Sequence, residues 1–154
     1  MKIILVLYSY HHKNTEKIAK VIGKVLNAEI RDPHNLSPED LEPYDFLGFG
    51  SGIYSAKLHD SIFNLVDNLP QTTKKTFIFS TAALTSKKKM DKDHSLLREN
   101  LESKGYSIIG EFSCKGFNTN SFMKYLGGMN KGRPNEEDLQ NAKNFALKLK
   151  EKMD

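Results

Sequence analysis

Apolar residues in this chain come in short runs, each closed by a polar turn and most followed by a segment with helical spacing. Residues 3–8, 46–50, 76–80 and 107–113 form aliphatic or aromatic runs short enough for strands buried on both faces. A weaker run at residues 28–31 suits an edge strand. Between the runs, Ile18, Ala19, Ile22, Val25 and Leu26 share one helical face after Thr15. Leu58, Ile62, Leu65, Val66 and Leu69 share another that stops at Pro70. Leu96, Leu97 and Leu101 line a third helix ahead of Lys104-Gly105, where glycine suits the first position past the end. Asn135 caps the last helix, acids fill its first turn, lysines its end, and Leu139, Ala142, Phe145, Ala146 and Leu149 form its buried stripe. Ser37-Pro38-Glu39-Asp40 predicts a short capped turn.

Strands that alternate with helices predict parallel, right-handed crossovers. The expected fold class is therefore α/β, one doubly wound domain over residues 1–154, with a five-stranded parallel sheet in the order 2-1-3-4-5 and helices on both faces. In such sheets ligands bind outside the carboxyl ends of the strands, at the switch point between strands 1 and 3. The loops at that edge are residues 9–14, 51–57, 81–93 and 114–134.

Length and composition narrow the class. A chain of 154 residues with 38% hydrophobic residues can bury a sizeable core. No run approaches the roughly 20 apolar residues that span a membrane, and the single cysteine, Cys114, excludes an internal disulfide and suits a reducing cytoplasm. Net charge is +4, with 23 basic residues against 19 acidic ones. The cations are mostly lysines interspersed with acids, and no nucleic-acid motif accompanies them. His11-His12 lacks the spacing of a metal site.

The first loop carries the sharpest chemistry. A buried strand breaks at Tyr8 into a polar turn, and Asn14-Thr15 opens a helix, so backbone N–H groups and a positive dipole end are offered to an anion. This stretch resembles the phosphate loop of the flavodoxins, which follows an aliphatic strand ending in Tyr and finishes in Asn-Thr. Tyr10 and Lys13 depart from that pattern, which usually has a hydroxyl residue and a glycine. A flavodoxin resemblance implies non-covalent FMN, with the phosphate held by Ser9, Tyr10, His11, His12, Lys13, Asn14 and Thr15. It also implies a ring bordered by Ser51, Gly52, Ile53 and Tyr54, with Tyr54 stacking, and by Thr81, Ala82, Ala83 and Leu84. The cofactor then carries the chemistry, no catalytic acid or base is required, and the partner is a redox protein or a small electron acceptor. The enzyme alternative is an FMN-dependent oxidoreductase of the quinone or protoporphyrinogen type; the non-redox alternative is an interaction module that has lost FMN.

Three further expectations attach to these loops. His59 is expected on a helix surface. The lysines at 87, 88, 89 and 92 are expected in the third loop, where they would raise the flavin potential. The apolar, glycine-rich segment 114–134 is expected to act as a lid or partner surface.

Overall fold

A computed structural model describes residues 1–10, 13–116 and 130–154. His11, His12 and the greater part of the expected lid (residues 117–129) lie outside the described residues. The elements run β1 (Ile3–Tyr8), α1 (Asn14–Leu26), β2 (Glu29–Arg31), a 3-10 turn (Pro33–Asn35), α2 (Pro38–Leu41), β3 (Phe46–Tyr54), β4 (Lys57–Leu58), α3 (Asp60–Asp67), β5 (Lys75–Ala82), α4 (Lys87–Ser103), β6 (Ser107–Lys115) and α5 (Glu136–Met153).

Five strands pair in parallel in the order β2-β1-β3-β5-β6, and the two-residue β4 folds back antiparallel onto the end of β3. Counting only the parallel strands, this is the 2-1-3-4-5 order expected from the sequence. β1 alternates its side chains between two cores. Ile3, Leu5 and Leu7 face α1 and α5, while Ile4 and Val6 face the side covered by α2, α3 and α4.

β3 solves a packing problem that its own sequence does not reveal. Gly48 pairs with Phe77 and Gly50 with Phe79 across the β3–β5 ladder. A Cβ at Gly48 would lie 2.3 Å from the Phe77 ring, and one at Gly50 would lie 2.1 Å from the Phe79 ring. The two glycines leave the space in which two fully buried phenyl rings lie across the sheet.

The ends of the helices follow the expected capping chemistry. Asn135 Oδ1 accepts from the Asp138 N–H at 3.0 Å, and Asp138 Oδ2 accepts from the Asn135 N–H at 2.8 Å. Gly105, at φ 95°, ends α4, with the Tyr106 N–H reaching back to the Leu101 carbonyl. The lysine run was expected in a loop; instead Lys87, Lys88 and Lys89 form the first turn of α4, capped by Ser86, whose Oγ accepts from the Lys89 N–H at 3.0 Å. The third loop therefore shrinks to residues 83–86.

Candidate functional site

The carboxyl ends of β1, β3 and β5 bring together the three expected loops. α1 begins at Asn14, the first residue of the Asn14-Thr15 pair. Its N-cap is Lys13, held left-handed at φ 50° and ψ 36° with no side-chain cap of its own. That conformation explains why glycine would be easy there and why lysine is tolerated only as an isolated αL residue. Ser9 Oγ caps the turn from outside by accepting from the Glu16 N–H at 3.2 Å. Asn14 and Thr15 are buried, whereas Tyr10 is 65% exposed and turns its ring to solvent.

Thr15 also ties the first loop to the third. Its Oγ1 lies 2.8 Å from Thr81 Oγ1 in a buried pair joining α1 to the end of β5. One hydroxyl donates within the pair, and the other keeps its proton for a further acceptor. Behind them, Gly116 leaves room for the Asn14 amide, which a Cβ would approach to 2.7 Å. Asn130 Nδ2 donates to the Ala83 carbonyl at 2.6 Å and fastens the third loop to the chain beyond β6.

The second loop is tighter than expected. β3 continues through Ser51, Gly52, Ile53 and Tyr54, then reverses at Ser55 and Ala56, both at positive φ, into β4. Two left-handed residues make a hairpin turn whose twist matches the strands. Ser51 is fully buried and its Oγ accepts from the His59 N–H at 3.0 Å. Tyr54 keeps a partly exposed ring against Gly52, and burial raises its phenol pKa. In the third loop Thr81 and Ala82 are still strand, Ala83 is partly exposed, and Leu84 is 56% exposed.

His59 corrects an expectation. It is the N-cap of α3, not a surface residue within it, and its ring stacks on Tyr8 with centroids 3.6 Å apart. Its Nδ1 accepts from the Ser61 N–H at 3.1 Å, and partial burial lowers its pKa. Tyr54 and His34 meet this stack edge-on, at 5.1 Å from His59 and 5.7 Å from Tyr8 respectively. Sequence reasoning missed this cluster because its members are 26, 20 and 5 positions apart, from Tyr8 to His34 to Tyr54 to His59, and only the sheet order brings them together.

A second polar group lies beside β5 under α4. Arg98 holds Glu111 through Nε–Oε2 at 2.8 Å and Nη2–Oε1 at 2.9 Å, and Glu111 Oε1 also lies 2.9 Å from His94 Nδ1. Burial alone would raise the Glu111 pKa, but the hydrogen bonds from His94 and Arg98 prevail and pull it down to about 2. A carboxyl depressed in the fold stabilises above its ordinary pKa of about 4.5, and the contribution fades as pH falls from there toward 2. With allowance for its partial exposure, that is about 2 kcal/mol. Urea titrations from pH 7 to pH 2.5 are expected to show this loss in the wild type and a flatter acid limb in Glu111→Gln. Parallel acid limbs would remove Glu111 from that role.

Cys114 is buried at the end of β6, where burial, with Asp138 nearby, pushes its thiol up to about 12. It behaves as a small apolar residue and not as an active thiolate. Among the described residues no three His, Cys, Asp or Glu side chains are grouped to hold a metal, and no helix is long and apolar enough to cross a membrane.

A parallel sheet in the order β2-β1-β3-β5-β6, with three loops at the carboxyl ends of β1, β3 and β5, defines a doubly wound α/β class. The chain belongs to the flavodoxin family: the model of the flavodoxin domain matches residues 5–116. A Haemophilus influenzae flavodoxin is 30% identical over 126 residues, covering 77% of this chain and 72% of that one. A Methanocaldococcus jannaschii protein described as uncharacterized is 51% identical over 149 residues, covering 97% and 98% of the two chains. Among solved structures, oxidised flavodoxin 2 from Bacillus cereus superposes with a TM-score of 0.75 at 20% identity, over 99% of each chain, which shows a shared fold.

Proposed function

We propose that this chain binds FMN non-covalently at the switch-point crevice and serves as an electron-transfer protein. The observation that carries the reading is the buried Thr15–Thr81 hydrogen bond, which locks the N-terminus of α1 to the strand end expected to border the ring. The residues fit the group. An N-terminal helix turn and the hydroxyl of Ser9 or Thr15 suit a phosphate, and Tyr54 offers an aromatic face for a flat ring. Family membership supports the same assignment.

Bound FMN would supply the one- and two-electron chemistry. The chain's own tasks are to hold the phosphate with residues 9–15, to orient the ring between the Ser51–Tyr54 strand and the Thr81–Leu84 segment, and to admit a redox protein or small acceptor. Lysines on α4 are less free to act on a ring than a loop would allow, since Lys89 Nζ already pairs with Asp93 at 2.5 Å. A single domain in a reducing cytoplasm suits the buried thiol.

The deciding experiment is an absorption spectrum of the purified protein and titration of its flavin-free form with FMN and riboflavin. A yellow protein that prefers FMN strongly is expected. Failure to bind either flavin would refute the assignment and leave the fold as an interaction module.

A further inference from the structure

β3 ends at Tyr54, and the chain reverses at once through Ser55 and Ala56, left-handed at φ 51° and 62°, into β4. The hairpin fixes the backbone there, and the place of the Tyr54 ring is set by what the ring touches. Gly52 opens on the same face as Gly48 and Gly50 and is paired with Thr81 across the β3–β5 ladder. A Cβ at Gly52 would meet three Tyr54 atoms at 3.4 to 3.6 Å, so the ring is folded back over Gly52 on the side of the Thr15–Thr81 pair. Tyr8 and His59 reach it from the α3 layer, around the carboxyl end of the sheet. Their centroids lie 6.2 and 5.1 Å from that of Tyr54, at interplanar angles of 63° and 76°. Both are edge-to-face contacts of favourable geometry.

The His59 ring is itself held from several directions. It stacks on Tyr8 at 3.6 Å with 14° between the planes. Its Nδ1 accepts from the Ser61 N–H at 3.1 Å, and its backbone N–H donates to the buried Ser51 Oγ at 3.0 Å. His34, whose Nδ1 lies 2.8 Å from Asp32 Oδ1, closes the stack edge-on against Tyr8 at 5.7 Å. A line of contacts thus runs from the end of β2 through His34, Tyr8 and His59 to Tyr54. The cap of α3 needs only an acceptor at position 59, which Asn, Asp or Ser would supply with less bulk. What the imidazole adds is a ring.

We propose that His59 is a positioning residue for the flavin site: its ring, fixed on Tyr8 and on the N-terminus of α3, holds the Tyr54 ring in place for a bound flavin. The proposal rests on the FMN reading, in which Tyr54 is the stacking residue. A mobile tyrosine ring must give up side-chain freedom when a planar ligand packs on it, whereas a ring already held has little left to lose. The gain does not involve the phosphate, so it acts on FMN and riboflavin alike.

Two substitutions separate the ring from the cap. His59→Asn keeps a capping acceptor and removes the ring; His59→Phe keeps a ring and removes the acceptor. In the flavin-free full chain, with tyrosine rings isotope-labelled, NMR is expected to show Tyr54 ring resonances displaced by their aromatic neighbours. They should move toward those of a free tyrosine in His59→Asn and stay displaced in His59→Phe. Unmoved resonances in His59→Asn would overturn the brace. With ligand, His59→Asn is expected to bind FMN and riboflavin each about fivefold more weakly, the scale of one aromatic pair, and to leave the bound flavin more fluorescent. His59→Phe should recover most of the affinity and the quenching, although its urea midpoint falls with the lost cap. Equal flavin affinity in wild type and His59→Asn overturns the link to the site, and so does a loss in His59→Phe as large as that in His59→Asn. A wild type that binds neither flavin refutes the functional reading, and the Tyr54 resonances still decide the brace.

Discussion

Gly50→Ala is expected to destabilise the fold by about 3–5 kcal/mol, measured as a shift of the urea midpoint at constant slope. The added methyl would occupy the space of the Phe79 ring, meeting three of its carbons at 2.1 to 2.6 Å. Phe79 is fully buried, beside Phe77 with centroids 6.3 Å apart, so the ring has no outward rotamer that avoids the clash. Either β3 and β5 separate or the ring leaves the core, and both forfeit burial on the α1 and α5 side. Gly52→Ala supplies the control within the same strand. The three atoms nearest a Cβ there all belong to Tyr54, at 3.4 to 3.6 Å, ordinary contact distances, so its midpoint is expected to stay within about 1 kcal/mol of wild type. If Gly50→Ala behaved like Gly52→Ala, the glycine–phenylalanine pairing would not be what fits these strands together.

The pairing shows how far sequence reading reaches in this fold. Strand positions were legible because fully buried parallel strands are continuous apolar runs: β1 has the expected limits, and β3, β5 and β6 begin within one residue of theirs. The β3 extension was not legible, since Gly-Ser-Gly reads as loop when its partners are unknown; parallel pairing to β5 and the Ser55–Ala56 reversal keep it extended. Lys87, Lys88 and Lys89 read as loop because cations oppose the dipole of a first helical turn, yet Ser86 and the buried face of α4 outweigh that cost. The alternation of β5 turns the Ser80 side chain under α4, where its Oγ lies 2.7 Å from His94 Nε2, a contact that the sequence around Ser80 does not announce. In each case the missing information was the cross-strand or cross-layer neighbour, which no local window contains.

At the candidate site the largest effect is expected from Asn14→Ala combined with Thr15→Ala. The double variant should lose about 100-fold or more in FMN affinity, as charge-assisted hydrogen bonds to phosphate contribute about 1.5–3 kcal/mol each. Riboflavin lacks the phosphate, so its affinity should change by no more than about threefold, roughly half a neutral hydrogen bond. The comparison matters because Thr15 has a second task. Its hydroxyl bonds Thr81, and its loss could loosen the third loop and weaken every flavin alike. Thr81→Ala separates the two tasks, since it breaks the same bond and leaves the first loop's residues in place. A phosphate role requires that Asn14→Ala with Thr15→Ala discriminate between the ligands and that Thr81→Ala not do so. Equal losses of FMN and riboflavin in the double variant would mean that Thr15 matters only as the tie between α1 and β5, and the phosphate would have to be sought elsewhere.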